Sequence, residues 1–225
     1  MLLLALDTAS PAVTVAVHDG HRVLATRTTV DARRHGELLA PALAAVMADA
    51  GAAPRDLTDV AVGVGPGPYT GLRVGLVTAR TTASVVGAAL HGVCSLDVIA
   101  LEAAVGEPFA VVTDARRHEV HWARYDGAGR RIEGPAVDRP ADLAARLPAG
   151  TTVVGRGGQL YADELAGFRL PDSPLDPAAG VLAEAVVGGA VEVLPAEPLY
   201  LRRPDAAPPG PAKPVLPPSR RRANL

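Results

Sequence analysis

The residues best placed to do chemistry sit in turns that follow short apolar runs. The stretch Gly65-Pro66-Gly67-Pro68-Tyr69-Thr70-Gly71-Leu72-Arg73 follows one such run, residues 59–63, and opens an apolar helical pattern. Backbone N–H groups and the dipole at a helix start favour anions, so the loop invites a phosphate reading. It lacks the Gly-Lys-Ser/Thr ending of a P-loop, and its glycines do not match a dinucleotide fingerprint. Pro66 and Pro68 also remove donors, which makes a rigid, shaped turn the better physical description. A second pair of candidates is Asp7 and Asp114. Each closes an apolar run (residues 2–6 and 109–113), and each is followed by a polar turn, an alternating run and an Asp-Gly hairpin signal. Thr8 and Ser10 place hydroxyls beside Asp7. Asp114-Ala115-Arg116-Arg117 has no Gly-Thr or Gly-Ser pair through which backbone N–H groups could approach a phosphate. A carboxylate in either position also has a plainer use, capping the turn after a buried strand.

Metal and nucleophile chemistry find little support. His118 and His121 fall in a stretch read as strand, where an odd separation points them to opposite faces. His18 and His21 flank the Asp19-Gly20 turn and could approach each other, but no third ligand is apparent. There is no Gly-x-Ser-x-Gly elbow. Cys94, the single cysteine, excludes a disulfide framework within the chain and a cysteine zinc site, and its apolar surroundings read as a small buried hydrophobe.

The elements that must position these residues follow from hydrophobic periodicity. Residues 2–6 form a short, continuous apolar run, the pattern of a fully buried strand, and 59–63 and 109–113 read as further buried strands. Residues 12–17, 22–28 and 119–125 read as their strand partners, with a short strand at 152–154. A helix from about His35 carries Leu38, Leu39, Ala42, Leu43, Val46 and Met47 at helical spacing and ends at Gly51 and Pro54. A second helix, about 72–88, is apolar nearly all round, with Gly71, Gly75, Ala79 and Ala83 repeating every fourth residue beside Leu72, Leu76, Val77, Val85 and Val86. Such a helix must be buried nearly all round. Burial in the chain's own core and burial against a helical partner both satisfy this. Further helices are expected near 141–147, 160–166 and 177–188.

The strand-Asp-turn-strand unit occurs twice, which suggests two lobes of related topology meeting between residues 101 and 108. The expected organisation is an N-terminal lobe over 1–104 that carries the partner-binding helices, a C-terminal lobe over 105–203, and a disordered Pro-rich tail over 204–225. The tail closes with Arg220-Arg221-Arg222, which reads as a solvated end or as a contact for RNA or another acidic partner. With 48% hydrophobic residues but 3% aromatics, the core must be built from Ala, Val and Leu. A net charge of -2 lacks the basic surplus of a stand-alone nucleic-acid binder, so any nucleic-acid role should run through a partner. The apolar start stops at Asp7 without a basic flank and no run reaches spanning length, so a cytoplasmic protein with no membrane association is expected.

The repeated unit resembles that of the actin, hexokinase and Hsp70-like ATPases, in which two facing turns hold phosphates and the Asp organises magnesium or its water. A closer resemblance lies in five segments in order. These are Leu4-Ala5-Leu6-Asp7-Thr8; His35-Gly36-Glu37-Leu38-Leu39 with Pro41; Gly65-Pro66-Gly67-Pro68-Tyr69-Thr70-Gly71-Leu72-Arg73; Asp114-Ala115-Arg116-Arg117-His118-Glu119-Val120; and Pro198-Leu199-Tyr200-Leu201-Arg202. On these the chain resembles the TsaB (YeaZ) family over almost its whole folded length. Pro68 and Tyr69 depart from the family's common Ser-Phe, and the Pro-rich tail is not a family feature. The resemblance implies an α/β, two-lobed, actin-like (ribonuclease H-like) ATPase fold with a degenerate nucleotide site. Only weak contacts would remain there, at Asp7, Thr8 and Ser10. It implies a non-catalytic subunit, without metal or cofactor, of the complex that makes threonylcarbamoyladenosine in tRNA. The implied partners are a TsaD-like catalytic subunit, a TsaE-like ATPase, tRNA only through the complex, and a second copy when TsaD is absent. Pairing would use the first two helices, with His35, Leu38, Leu39, Leu43, Val46, Leu72, Gly75, Leu76, Ala79 and Ala83 as the interface set. An active small-molecule kinase of the same fold is the main alternative. A metallopeptidase is the weaker one, and no protease constellation supports the family's old glycoprotease label.

Overall fold

The structure, a computed structural model, describes residues 1–202; the Pro-rich segment 204–225 lies outside the described residues. The first sheet holds β1 (Leu3–Asp7), β2 (Ala12–His18), β3 (Val23–Val30), β4 (Asp59–Gly63) and β5 (Ala89–Val93), in the order β3-β2-β1-β4-β5. The second holds β6 (Phe109–Asp114), β7 (Val120–Tyr125), β8 (Arg131–Asp138) and β9 (Thr152–Val154), in the order β8-β7-β6-β9. In both, the strand ending in Asp is an inner strand, antiparallel on one side to the strand after its turn and parallel on the other to a later strand, β4 beside β1 and β9 beside β6. That shared topology makes the fold the two-lobed α/β fold expected of actin-like ATPases.

Alternation across β1 explains its continuous apolar run, because both faces are covered. Leu4 and Leu6 face a cluster with Leu39 and Val46 of α1 (His35–Asp49) and with Leu72, Leu76, Ala79 and Ala83 of α2 (Tyr69–Val86). Leu3 and Ala5 face the opposite side with Ala16, Ala61 and Val98. That side is closed by Ala179, Leu182 and Ala183 of α6 (Ala179–Val187). Sequence order places α6 after the second sheet, yet it packs on the first. The small residues Ala5, Ala16 and Ala61 leave a shallow apolar face that a helix of Ala, Val and Leu can cover.

Residues 89–93 and 95–103 are elements for which no strand or helix was expected. The β5 strand includes His91 and Gly92, which hide its period; α3 (Ser95–Ala103) is short, with apolar residues on more than one face and Asp97 and Glu102 interrupting them. That composition has a use in three dimensions. Val98 packs into the first lobe, while Leu96, Ile99 and Ala100 pack with Phe109, Val111 and Tyr125 of the second. One helix therefore joins both cores. The Tyr125 hydroxyl donates to Asp97 Oδ1 at 2.8 Å, and Arg131 Nε lies 3.4 Å from the same oxygen. Beyond β9, the helix expected near 160–166 is shifted to α5 (Arg156–Leu160), followed by turns. Gly157 lets α5 lie close on β6, since a Cβ there would stand 2.7 Å from Val112 Cγ1. The other helix of this lobe is α4 (Pro140–Arg146).

Candidate functional site

The turns after β1 and β6 face each other across an interlobe cleft, and the structure shows what each predicted residue does there. Asp7 is wholly buried. Its Oδ1 accepts from Ala9 N–H at 2.7 Å and its Oδ2 from the Ser95 hydroxyl at 2.6 Å. Loss of water outweighs these bonds and pushes its carboxyl up to about 6. The Thr8 hydroxyl donates to the Gly71 carbonyl at 2.7 Å and is also buried, so it ties the turn to α2 instead of facing the cleft. Gly75 makes room for it, because a Cβ at Gly75 would come within 2.3 Å of Thr8 Oγ1. Ser10 lies at the cleft wall and its hydroxyl accepts from Ala12 N–H at 3.1 Å. Of the three residues expected to retain nucleotide contacts, only Ser10 lines the cleft cavity.

Across the cleft, Asp114 Oδ1 accepts from Arg116 N–H at 2.8 Å, and its Oδ2 lies 3.2 Å from Arg116 Nη1. Arg156 Nε donates to Asp176 Oδ1 at 3.1 Å, with a second contact through Nη2, and this partly buried pair stands in the same space. Where Ser10, Asp114 and this pair meet, the cleft narrows to a cavity of about 20 Å³, room for about one water.

The predicted interface set is mostly turned inward. His35, Leu39, Val46, Leu72, Gly75, Leu76, Ala79 and Ala83 are buried in the first lobe. His35 Nε2 donates to the Ser10 carbonyl at 2.8 Å. Gly71 and Gly75 thus serve approach of α2 to the chain's own β1 turn, Ala79 and Ala83 pack in the core of the same lobe, and a partner surface on these helices must use other side chains. Leu38 and Leu43 keep partial exposure, and Val77 and Val85 of α2 are 63% and 79% exposed.

His118 is not in a strand, as its sequence context suggested. Arg116, Arg117 and His118 all have positive φ (62°, 56° and 58°), a left-handed turn that bulky side chains rarely adopt. His118 reaches Glu164 at 3.0 Å, whereas His121 lies in β7, where burial pushes its imidazole down to about 4. His18 Nδ1 accepts from Gly20 N–H at 2.9 Å and shapes its own hairpin. Cys94 is buried and its thiol is pushed up to about 12 by desolvation.

One group of cleft-side residues escaped sequence reasoning. The strand-like segment at Leu194 pairs with Gly92, and Leu199 N–H donates to the Val64 carbonyl at 2.8 Å. This draws Tyr200 and Arg202 against the Gly65 loop, where the Tyr69 hydroxyl donates to the Arg202 carbonyl at 3.0 Å. Their meeting could be guessed only from the two motifs' common membership of a family pattern.

Known proteins agree with this architecture. Residues 22–182 match the family model described as "TsaD: tRNA N6-adenosine threonylcarbamoyltransferase". The tRNA threonylcarbamoyladenosine biosynthesis protein TsaB of Escherichia coli is 31% identical over 90% of this chain and 95% of its own length. The chain belongs to the TsaB family. YeaZ from Pseudomonas aeruginosa, a solved structure of that family, superposes with a TM-score of 0.73 at 30% identity, covering 89% of this chain and 99% of its own. An uncharacterised protein of Mycobacterium leprae is 47% identical over 92% of this chain, which spans 56% of that relative's length. The TsaB family is one of tRNA threonylcarbamoyladenosine biosynthesis. Among the described residues, no helix is long and apolar enough to cross a membrane.

Proposed function

We propose that this chain is a non-catalytic, cytoplasmic subunit of the tRNA threonylcarbamoyltransferase complex. It would hold a TsaD-like catalytic subunit in a competent shape and help to dock a TsaE-like ATPase. The observation that carries this reading is the closed interlobe cleft. Magnesium-nucleotide chemistry would need both turn carboxylates open to the cleft. Asp7 is instead buried against Ala9 and Ser95, Asp114 is bonded to Arg116, and the Arg156–Asp176 pair fills the space between. The active-kinase alternative therefore requires the lobes to open and that pair to break.

The partner surface of this reading is the outward side of α1 and α2. Val77 and Val85 stand exposed there, beside partly buried Leu38, Leu43 and Val74. A standard protein interface, roughly 1,600 Å² in total, would cover both helices. Light scattering on a size-exclusion column tests the reading. The chain alone should run as a homodimer and should convert to a one-to-one heterodimer when the cognate TsaD is added. Val77→Glu with Val85→Glu should abolish both associations while leaving the circular dichroism spectrum of the isolated chain unchanged, since neither side chain is buried in the single chain; its unfolding midpoint should lose only the concentration-dependent part that dimerisation supplies. A wild-type chain that stays monomeric and ignores TsaD would sink the proposal. So would tight magnesium-dependent ATP binding lost on Asp114→Asn.

A further inference from the structure

Beside the closed cleft, past Pro68 and Arg116, lies a second and much larger cavity of about 510 Å³. Three segments far apart in sequence meet there: the Gly65 loop with the start of α2, the left-handed turn after β6, and residues 199–202. All three belong to motifs that stand out in the sequence, and the proposed subunit role uses none of them. Tyr69 and Tyr200 lie with ring centroids 4.6 Å apart, tilted by 33°. The Arg73 guanidinium stands 5.4 Å and 5.8 Å from these two rings, and its Nε donates to the Tyr200 hydroxyl at 2.8 Å. Arg116 and Arg202 line the same space. They are paired with Asp114 and Glu119, whereas Arg73 has no carboxylate partner among the described residues. His121 also lines the cavity, and its buried Nδ1 has no hydrogen-bond partner among the described residues.

We infer that this cavity binds a nucleoside phosphate, either as a free nucleotide or as an unpaired nucleotide of an RNA strand. The chemistry of the lining selects that class. A guanidinium offers a fork of N–H donors that matches phosphate oxygens, and Arg73 commits one donor to Tyr200. The partner-free His121 nitrogen offers a further polar contact. Tyrosine faces beside that fork suit a stacked base, the usual way in which unpaired nucleotides are held. The volume is that of a small-ligand site. A site for bare phosphate would need no aromatic pair, and an acidic peptide would leave the rings without a stacking partner. The overall charge of -2 does not oppose the inference, because Arg73, Arg116, Arg117 and Arg202 all line this cavity.

The test uses the full chain, in the absence of magnesium. AMP and ATP are titrated by calorimetry, and a fluorescein-labelled single-stranded RNA oligonucleotide by anisotropy. Pyrophosphate and a glutamate-rich peptide serve as controls. Binding of AMP or ATP alone would support the inference and assign the site to a free nucleotide; binding of the oligonucleotide alone would support it and assign an RNA strand. Arg73→Gln and, separately, Tyr200→Leu should each weaken that binding at least about tenfold, the scale of one lost stacking or guanidinium contact. If Arg73→Gln lowers the melting temperature, Tyr200→Leu and the salt dependence of the wild type decide, the latter expected to fall as log K against log salt at about 0.7 per phosphate engaged on a single strand. No binding by any nucleoside phosphate would overturn the inference. So would pyrophosphate or peptide binding as tightly as nucleotide, or affinities indifferent to both substitutions. None of these results bears on the subunit reading, which stands or falls on association with TsaD.

Discussion

Asp7→Asn separates the cost of a buried charge from the hydrogen bonds the side chain makes. The asparagine Oδ1 can still accept from Ala9 N–H, and its amide can donate to Ser95 once that hydroxyl turns. There is no room for relaxation by movement: Gly63 lies so close that a Cβ there would stand 1.7 Å from Asp7 Oδ2. Burial raises the carboxyl from 3.8 to about 6. An acid that holds its proton more tightly in the folded state supports folding below its unfolded value and opposes it above its folded value. The stabilising contribution of protonated Asp7 is therefore complete below about pH 4 and lost as pH rises through about 6. At about 1.4 kcal/mol per pH unit, the rise costs the wild type ~3 kcal/mol at pH 8. Asparagine has no such window. Asp97, also raised by burial, is present in both proteins and cancels in the difference. Urea unfolding followed through the buried Trp122, the single tryptophan, gives the measurement. Relative to wild type, the variant should gain ~3 kcal/mol between about pH 3.5 and pH 8. A difference that does not change with pH, or a variant that loses ground at pH 8, would refute the reasoning.

Two further outcomes follow from close packing and burial. Gly67→Ala would place a Cβ 2.1 Å from the Ala9 carbonyl oxygen, so it should lose about 1–3 kcal/mol in thermal unfolding, and an unchanged midpoint would contradict the packing of the loop on the β1 turn. The Cys94 thiol, buried and pushed up to about 12, should react with a thiol reagent only as fast as the chain unfolds, and labelling of the native protein at the rate of a free thiol would contradict its placement.

Much of the frame could be read from the chain. The apolar stretches within β1, β4 and β6 (Leu3–Leu6, Val60–Val62 and Phe109–Val112) put apolar residues on both faces because both faces of each strand are covered, and that pattern survives without knowledge of the neighbours. The Asp19-Gly20 hairpin and the Leu38 to Met47 stripe were equally local, since turn chemistry and helical period act within a few residues. Elements whose sequences do not show a period were missed: β5, held between β4 and the Leu194 segment, and α3, whose Val98 and whose Leu96, Ile99 and Ala100 serve two different cores. The interface set was legible only as a requirement for burial. The pattern of Gly71, Gly75, Ala79 and Ala83 demands close approach but does not name what approaches, and in the structure it is the Thr8 turn of the same lobe at Gly71 and Gly75 and that lobe's core at Ala79 and Ala83.

The sequence by itself determined which segments must be buried, where the two Asp turns fall and which family motifs are present, because each of these depends on composition and spacing along one stretch of chain. Only the tertiary structure decided that Asp7 and Thr8 are sealed from the cleft and that Arg156 and Asp176 close it. It alone brought Tyr69, Arg73 and Tyr200 to one cavity. Tyr69 and Tyr200 are joined by no local pattern; what brings them together is the return of the chain along β5, a consequence of how the two sheets share α3 and of where the last segment finds an open strand edge.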